Sequence, residues 1–195
     1  MSRSRISQRR RINSVRIGGG AWGSRLLTFP DADGLRPTGD RVKQTLFNWL
    51  GQSLVDRVCL DAFAGSGALG FEAASRSAQL VVLCETNIET AKSLANNAQK
   101  LRARQCKVVH RDVRLWLRTN SLKFNVVFCD PPFADTMLGT FLVQLTSHLA
   151  EGALVYVESA NPTDTLTAIH NHFVVEKASR AGAVHFGLLR LISAG

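Results

Sequence analysis

Acidic side chains are scarce in this chain of 195 residues: 15 Asp and Glu stand against 24 Lys and Arg, a formal charge of +9. Long apolar runs are missing too, and none approaches the ~18 residues of a membrane span. Proline occurs 5 times and glycine 15 times, too seldom for a collagen-like repeat or a disordered low-complexity chain. The four cysteines (Cys59, Cys84, Cys106, Cys129) lie far apart with no Cys-x-x-Cys pair, which excludes a small disulfide scaffold and a zinc module. They read as free thiols of a reducing cytosol, so a cytoplasmic protein is expected. The five histidines have no metal-ligand spacing, and metal catalysis is not expected.

What is present is a core-forming composition, 45% hydrophobic, and a very uneven charge. Residues 1–43 contain ten bases (Arg3, Arg5, Arg9, Arg10, Arg11, Arg16, Arg25, Arg36, Arg41, Lys43) and three acids, and so hold most of the excess. Seven more bases run from Lys100 to Arg118 around a single acid, Asp112. Such asymmetry points to nucleic acid, because each Lys or Arg laid on a phosphate releases condensed counterions. The first 30 residues are acid-free and rich in Arg and Ser, as transit peptides are. Against that reading, the basic segment runs unbroken into the Gly and Trp residues near Trp22.

Residues 1–38 read as an irregular basic arm, and residues 39–195 as one domain. Asp40 is placed to cap a helix to about Leu50, with Val42, Leu46, Trp49 and Leu50 on one face and Gly51 as the stop. Beyond it, short apolar runs at 58–63, 80–84, 107–110, 125–129 and 153–157 alternate with amphipathic helical patterns. That alternation predicts an α/β fold with a mostly parallel sheet covered on both faces. Thr163–His172 reads as a shorter helix. Phe173–Lys177 and Ala183–Ile192, joined by a short turn, predict an antiparallel hairpin at the sheet edge.

The first strand of this alternation leads from Asp61 into Ala64-Gly-Ser-Gly-Ala-Leu-Gly70. Glycines there let the backbone turn tightly toward a ligand at a helix N-terminus, and Glu85, at the end of the next strand, is placed to hold a ribose diol. The glycines alone fit a dinucleotide and an adenosyl ligand equally. Asp61 tips the balance, because a carboxylate just before the loop suits a ligand with an ammonium group better than a pyrophosphate. The fourth strand ends in Asp130-Pro-Pro-Phe133. A carboxylate, the Pro131 carbonyl and an aromatic ring there form a receptor for a planar base amine, with Phe133 stacking on the ring. A nucleotide-dependent oxidoreductase and a ribosome assembly factor without catalysis are the competing readings, and adenine N6 is a competing target amine.

Asp61–Gly70 and Asp130–Phe133 resemble the cofactor and target-base motifs of class I S-adenosylmethionine-dependent methyltransferases that modify base amines. Gly34-Leu-Arg-Pro-Thr38, Asp40–Leu50 and Tyr156-Val-Glu-Ser159 narrow the resemblance to the RsmD family of bacterial 16S rRNA guanine-N2 methyltransferases. The resemblance implies a Rossmann-like sheet of seven strands, S-adenosyl-L-methionine as cofactor, and a monomer acting on 16S rRNA in the small subunit or a late assembly intermediate, with no membrane and no metal. It implies cofactor contacts from Asp61, Phe63, Gly65, Gly67, Glu85, Asp112 and Val113, and base contacts from Asp130, Pro131 and Phe133. Arg9, Arg10, Arg11, Arg16, Arg25, Arg36 and Arg41 are the expected RNA-facing arginines. The family's Trp-Arg-Gly-Arg reads Trp22-Gly-Ser-Arg25 here, and its second acid after the ribose carboxylate is Asn87.

Overall fold

The computed structural model describes residues 12–31, 39–131, 136–159, 167 and 169–192. Arg9, Arg10, Arg11, Arg36, Phe133 and most of the helix expected at 163–172 lie outside them. Five strands run parallel: β3 (Val58–Asp61), β4 (Leu80–Glu85), β5 (Cys106–His110), β6 (Phe124–Cys129) and β7 (Leu149–Ser159). The hairpin β8 (Phe173–Ala181) and β9 (Val184–Leu191) closes one edge antiparallel, giving the order β5-β4-β3-β6-β7-β9-β8. This is the seven-stranded, mostly parallel sheet expected.

Period-two alternation explains why the strands are apolar throughout. Cys59, Val81, Leu83, Val126 and Phe128 point into one layer; Leu60, Val82, Cys84, Val127 and Cys129 point into the other. The first layer is covered by α1 (Asp40–Leu50), α2 (Ala68–Ser75) and α3 (Ile88–Leu101), the second by α4 (Val113–Leu117) and α5 (Thr136–Leu145). Asp40 is the first helical residue, and Gly39 precedes it as a cap without a side chain. Helix α4 is only five residues long, too short to leave a periodic trace. All four cysteines are free, and burial pushes the thiols of Cys59, Cys84 and Cys106 up to about 12. No described helix is long and apolar enough to cross a membrane.

The irregular arm expected over residues 1–38 is corrected across its centre. Residues 12–30 form an antiparallel ribbon of β1 (Ile12–Arg16) and β2 (Leu26–Pro30). Val15, Ile17, Leu27 and Phe29 are each at most 7% exposed, and each such side chain contributes roughly 1.5–3 kcal/mol by leaving water. Polar anchors fix the ribbon. Glu72 accepts from Gly18 N at 2.5 Å, Ser75 Oγ bridges Gly19 O and Trp22 N, and Ser93 and Asn97 both donate to Thr28 O. The buried ammonium of Lys43 donates to Arg16 O.

Glu72 is the strongest of these anchors, because it also holds the Arg76 guanidinium (Nη2 at 2.9 Å) while 1% exposed. Removing one partner of a buried ion pair leaves the other uncompensated, so Glu72→Ala is expected to cost about 3–5 kcal/mol in urea unfolding. Loss of less than about 1 kcal/mol would mean that the ribbon docks through its apolar face alone.

Candidate active site

The chain builds β3, β4 and β5 outward in one direction, then crosses back to lay β6 and β7 on the other side of β3. The carboxyl ends of β3 and β6 therefore flank the topological switch point, where open α/β sheets bind ligands. Asp61 ends β3 and Asp130 directly follows β6. Strand β4 ends on Glu85 beside them.

The loop after β3 is shaped by two residues that cannot carry a side chain. Gly67 caps α2 at φ +78°, and a Cβ there would lie 2.6 Å from Phe71 and 2.7 Å from Leu94. At Gly70 a Cβ would meet Leu83 at 2.8 Å and the Asp61 carboxylate at 2.9 Å, so the glycine lets α2 close on the sheet. The resulting contact is a hydrogen bond from Gly70 N to Asp61 Oδ2, 2.8 Å long. Glu85 holds the other end of the loop: Gly65 N donates to its Oε2 at 3.0 Å, and Asn87 N to its Oε1 at 2.7 Å.

Those bonds decide what the loop can bind. A dinucleotide site needs backbone N–H groups aimed at a pyrophosphate. Here Gly65 N–H and Gly70 N–H already point at carboxylates, and Gly67 N–H at Ala64 O. An anionic ligand would meet two negative side chains, whereas a cation would relieve them. Asp61 is 3% exposed; burial raises its carboxyl to about 7, the Gly70 bond lowering it and nearby Glu85 raising it.

Asp112 has a different environment from the one its expected adenine contact suggests. It caps α4 and accepts from Arg114 N (2.8 Å), Leu115 N, and the Arg114 guanidinium at Nε and Nη2 (2.7 Å). The guanidinium bond holds its carboxyl below the ordinary range. Val113 is buried in the α4–α5 layer. The Phe63 ring is half-buried and meets Phe141 edge-on with centroids 5.3 Å apart.

At the end of β6, Asp130 and Pro131 are half-buried. Burial pushes the Asp130 carboxyl up to about 7, followed by the like charges of Glu158 and Asp61. Glu158 on β7 is the residue sequence reasoning left without a role. Tyr156, which is buried, donates its hydroxyl to Glu158 Oε1 at 2.6 Å. The signal was local, a Tyr and a Glu two apart on a strand whose partner is followed directly by Asp130.

Of the expected RNA-facing arginines, Arg16, Arg25 and Arg41 lie among the described residues. Arg16 and Arg25 are exposed and flank the closed end of the ribbon, which is tied through Gly19 and Trp22 to Ser75. Ser75 ends α2 and the glycine loop begins it, so the two are about 12 Å apart along the helix. Arg41 is exposed at the start of α1. No group of metal-ligating side chains occurs among the described residues.

Residues 15–190 match a family described as conserved hypothetical protein 95. The chain is 41% identical over 176 residues to the ribosomal RNA small subunit methyltransferase D of Escherichia coli (strain K12), covering 89% of this chain and 88% of that one. The Haemophilus influenzae protein of the same name is 39% identical over 180 residues, covering 89% and 92%. A solved Escherichia coli structure described as a methyltransferase superposes with a TM-score of 0.83 at 38% identity, over 92% of this chain and 98% of that one. The precorrin-6y C5,15-methyltransferase of Geobacter metallireducens, at 17% identity and a TM-score of 0.70, shares the fold.

Proposed function

The chain belongs to the RsmD family of ribosomal RNA small subunit methyltransferases, and from that premise we propose that it moves a methyl group from S-adenosyl-L-methionine to the exocyclic N2 of a guanine in 16S rRNA. The observation that carries the reading is the occupied glycine loop. Its N–H groups serve Asp61 and Glu85, so the pocket favours an adenosyl ligand with a positive end over a dinucleotide. Asp61 would face the ammonium group, Glu85 the ribose hydroxyls, Gly65 and Gly67 the methionine chain, and Phe63 and Val113 the rest of the pocket wall. The adenine amine would share Asp112 with Arg114.

When bound, S-adenosylmethionine supplies a methyl group on a sulfonium, open to in-line attack by an amine. The residues of this chain must make a poor nucleophile adequate, since the lone pair of guanine N2 is delocalised into the ring. Asp130 and the Pro131 carbonyl accept hydrogen bonds from the two N–H bonds. This draws the nitrogen toward tetrahedral geometry and stabilises the positive charge that develops there. Phe133 stacks on the turned-out base. The proton leaves N2 to Asp130 or to water. Arg9, Arg10, Arg11, Arg16, Arg25, Arg36 and Arg41 lie on phosphates and set the RNA register rather than its sequence.

The test is to incubate the protein with small subunits from cells lacking this enzyme and methyl-labelled donor, then identify the labelled nucleoside. Label in N2-methylguanosine is the expected result. Label in N6-methyladenosine would overturn the target base, and no transfer from a donor that demonstrably binds would overturn catalysis.

A further inference from the structure

Buried Tyr156 and half-buried Glu158 are a hydrogen-bonded pair that the methyl-transfer mechanism does not use. Strand register fixes where they stand. Phe128 pairs with Tyr156 and Cys129 with Val157, so Asp130 and Glu158 follow as the next neighbours on adjacent parallel strands, about 4.8 Å apart along the hydrogen-bonding direction. Phe128 and Tyr156 point into the same layer, and two residues on, Asp130 and Glu158 share that side. Among the described residues, the hydrogen bond given for the Glu158 side chain is the one from the Tyr156 hydroxyl. Two half-buried carboxylates thus stand side by side at the rim of the pocket.

Two adjacent acceptors are complementary to two adjacent donors. Guanine presents the N1–H beside its N2 amine on one edge. Adenine presents an amine beside an N1 lone pair, and cytosine an amine beside an N3 lone pair, so either base would turn that lone pair toward a carboxylate. We propose that Glu158, oriented by Tyr156, accepts the N1–H of the target guanine while Asp130 and Pro131 hold its amine, so that Glu158 sets the choice of guanine over the other amino-bearing bases. The inference rests on the guanine-N2 reading above. It works by exclusion as much as attraction, since a wrong base leaves an unpaired carboxylate opposing a lone pair. It also explains why like charges are kept together: the donors of one bound base compensate both.

The probe is small-subunit rRNA carrying either guanine or 2-aminopurine at the mapped target, because 2-aminopurine keeps the N2 amine and lacks the N1–H. Wild type is expected to favour guanine by about 100-fold or more in kcat/KM. In Glu158→Gln the ratio should fall at least tenfold, because a neutral amide accepts the guanine N1–H more weakly than a carboxylate and can donate to the bare N1 of 2-aminopurine. Tyr156→Phe keeps the buried ring and loses only the orienting bond, and should move the ratio the same way. Affinity for S-adenosylmethionine, measured by calorimetry, should stay within about twofold in both variants and reports an intact pocket. Equal losses on both bases in folded variants, with the ratio unchanged, would overturn the proposal. So would a wild type indifferent to the N1–H. Failure of the guanine-N2 reading itself appears separately, as label in another nucleoside or no label with wild type.

Discussion

Asp130→Ala is expected to lower kcat by about 10²–10³-fold while leaving the affinity for S-adenosylmethionine within a factor of two, as for loss of one preorganised group facing developing charge. Asp130 directly follows β6, the glycine loop leaves the end of the neighbouring β3, and Glu85 ends β4 on the far side of β3. Removing its carboxylate therefore empties the amine side of the pocket without touching Gly65 or Gly70, whose N–H groups are held by Glu85 and Asp61. Single-turnover kinetics with small subunits separates the two effects, since a lost transition-state contact lowers the chemical step and not the donor affinity. Turnover within about threefold of wild type would remove Asp130 from the chemistry.

The raised carboxyl of Asp130 adds a pH dependence with a definite sign. Burial and the neighbouring Glu158 and Asp61 place it at about 7, and only the ionised form can accept both the amine hydrogen bond and developing positive charge. The chemical step should rise with pH through about 7 and level off above it. Stability runs the other way. A carboxyl whose folded value is above its unfolded value of 3.8 stabilises the fold fully below that value and loses the contribution as pH rises through about 7. The protein without ligands should be more resistant to unfolding at pH 5 than at pH 8, in the range where its chemistry slows.

The parts of the site legible in the sequence are those that local rules determine. Asp61, Gly67, Glu85 and Asp130 each sit at a strand end or in the turn that follows, with Gly70 in the first turn of the helix after it, and a short apolar run with glycine or proline after it marks such a place without any knowledge of neighbours. The ribbon was not legible, because its stability comes from far along the chain. Glu72, Ser75 and Asn97 lie 53–69 residues from the groups they hold, and the dense basic charge of residues 1–43 reads as an irregular arm for nucleic acid. Glu158 was written in the sequence as part of a motif, yet its relation to Asp130 exists only once β6 and β7 pair in a given register. Asp112 shows the converse: a local pattern, Asp followed two residues on by Arg, makes a helix cap and an ion pair.

Asp61→Asn is expected to weaken S-adenosylmethionine binding about 100-fold while preserving the fold, because a hydrogen bond to a charged partner is worth about 1.5–3 kcal/mol. The amide oxygen can still accept from Gly70 N, which keeps α2 against the sheet, so the substitution removes charge and little else. In the free protein, that charge is poorly compensated: a side chain 3% exposed, one backbone N–H at 2.8 Å, and Glu85 nearby. Its carboxyl is accordingly raised to about 7, so near neutral pH protonated and ionised forms are both populated. A ligand with an ammonium group binds the ionised form and draws the rest toward it. Donor affinity should therefore increase as pH rises from 6 toward 8, and calorimetry in buffers of different ionisation enthalpy should record a proton released on binding. In Asp61→Asn both signatures should vanish, and the variant should unfold with a shallower loss of stability between pH 5 and 8 than wild type. If the affinity of wild type is flat across that range and the variant binds as tightly, Asp61 serves to hold α2 in place, and the positive end of the donor is met elsewhere.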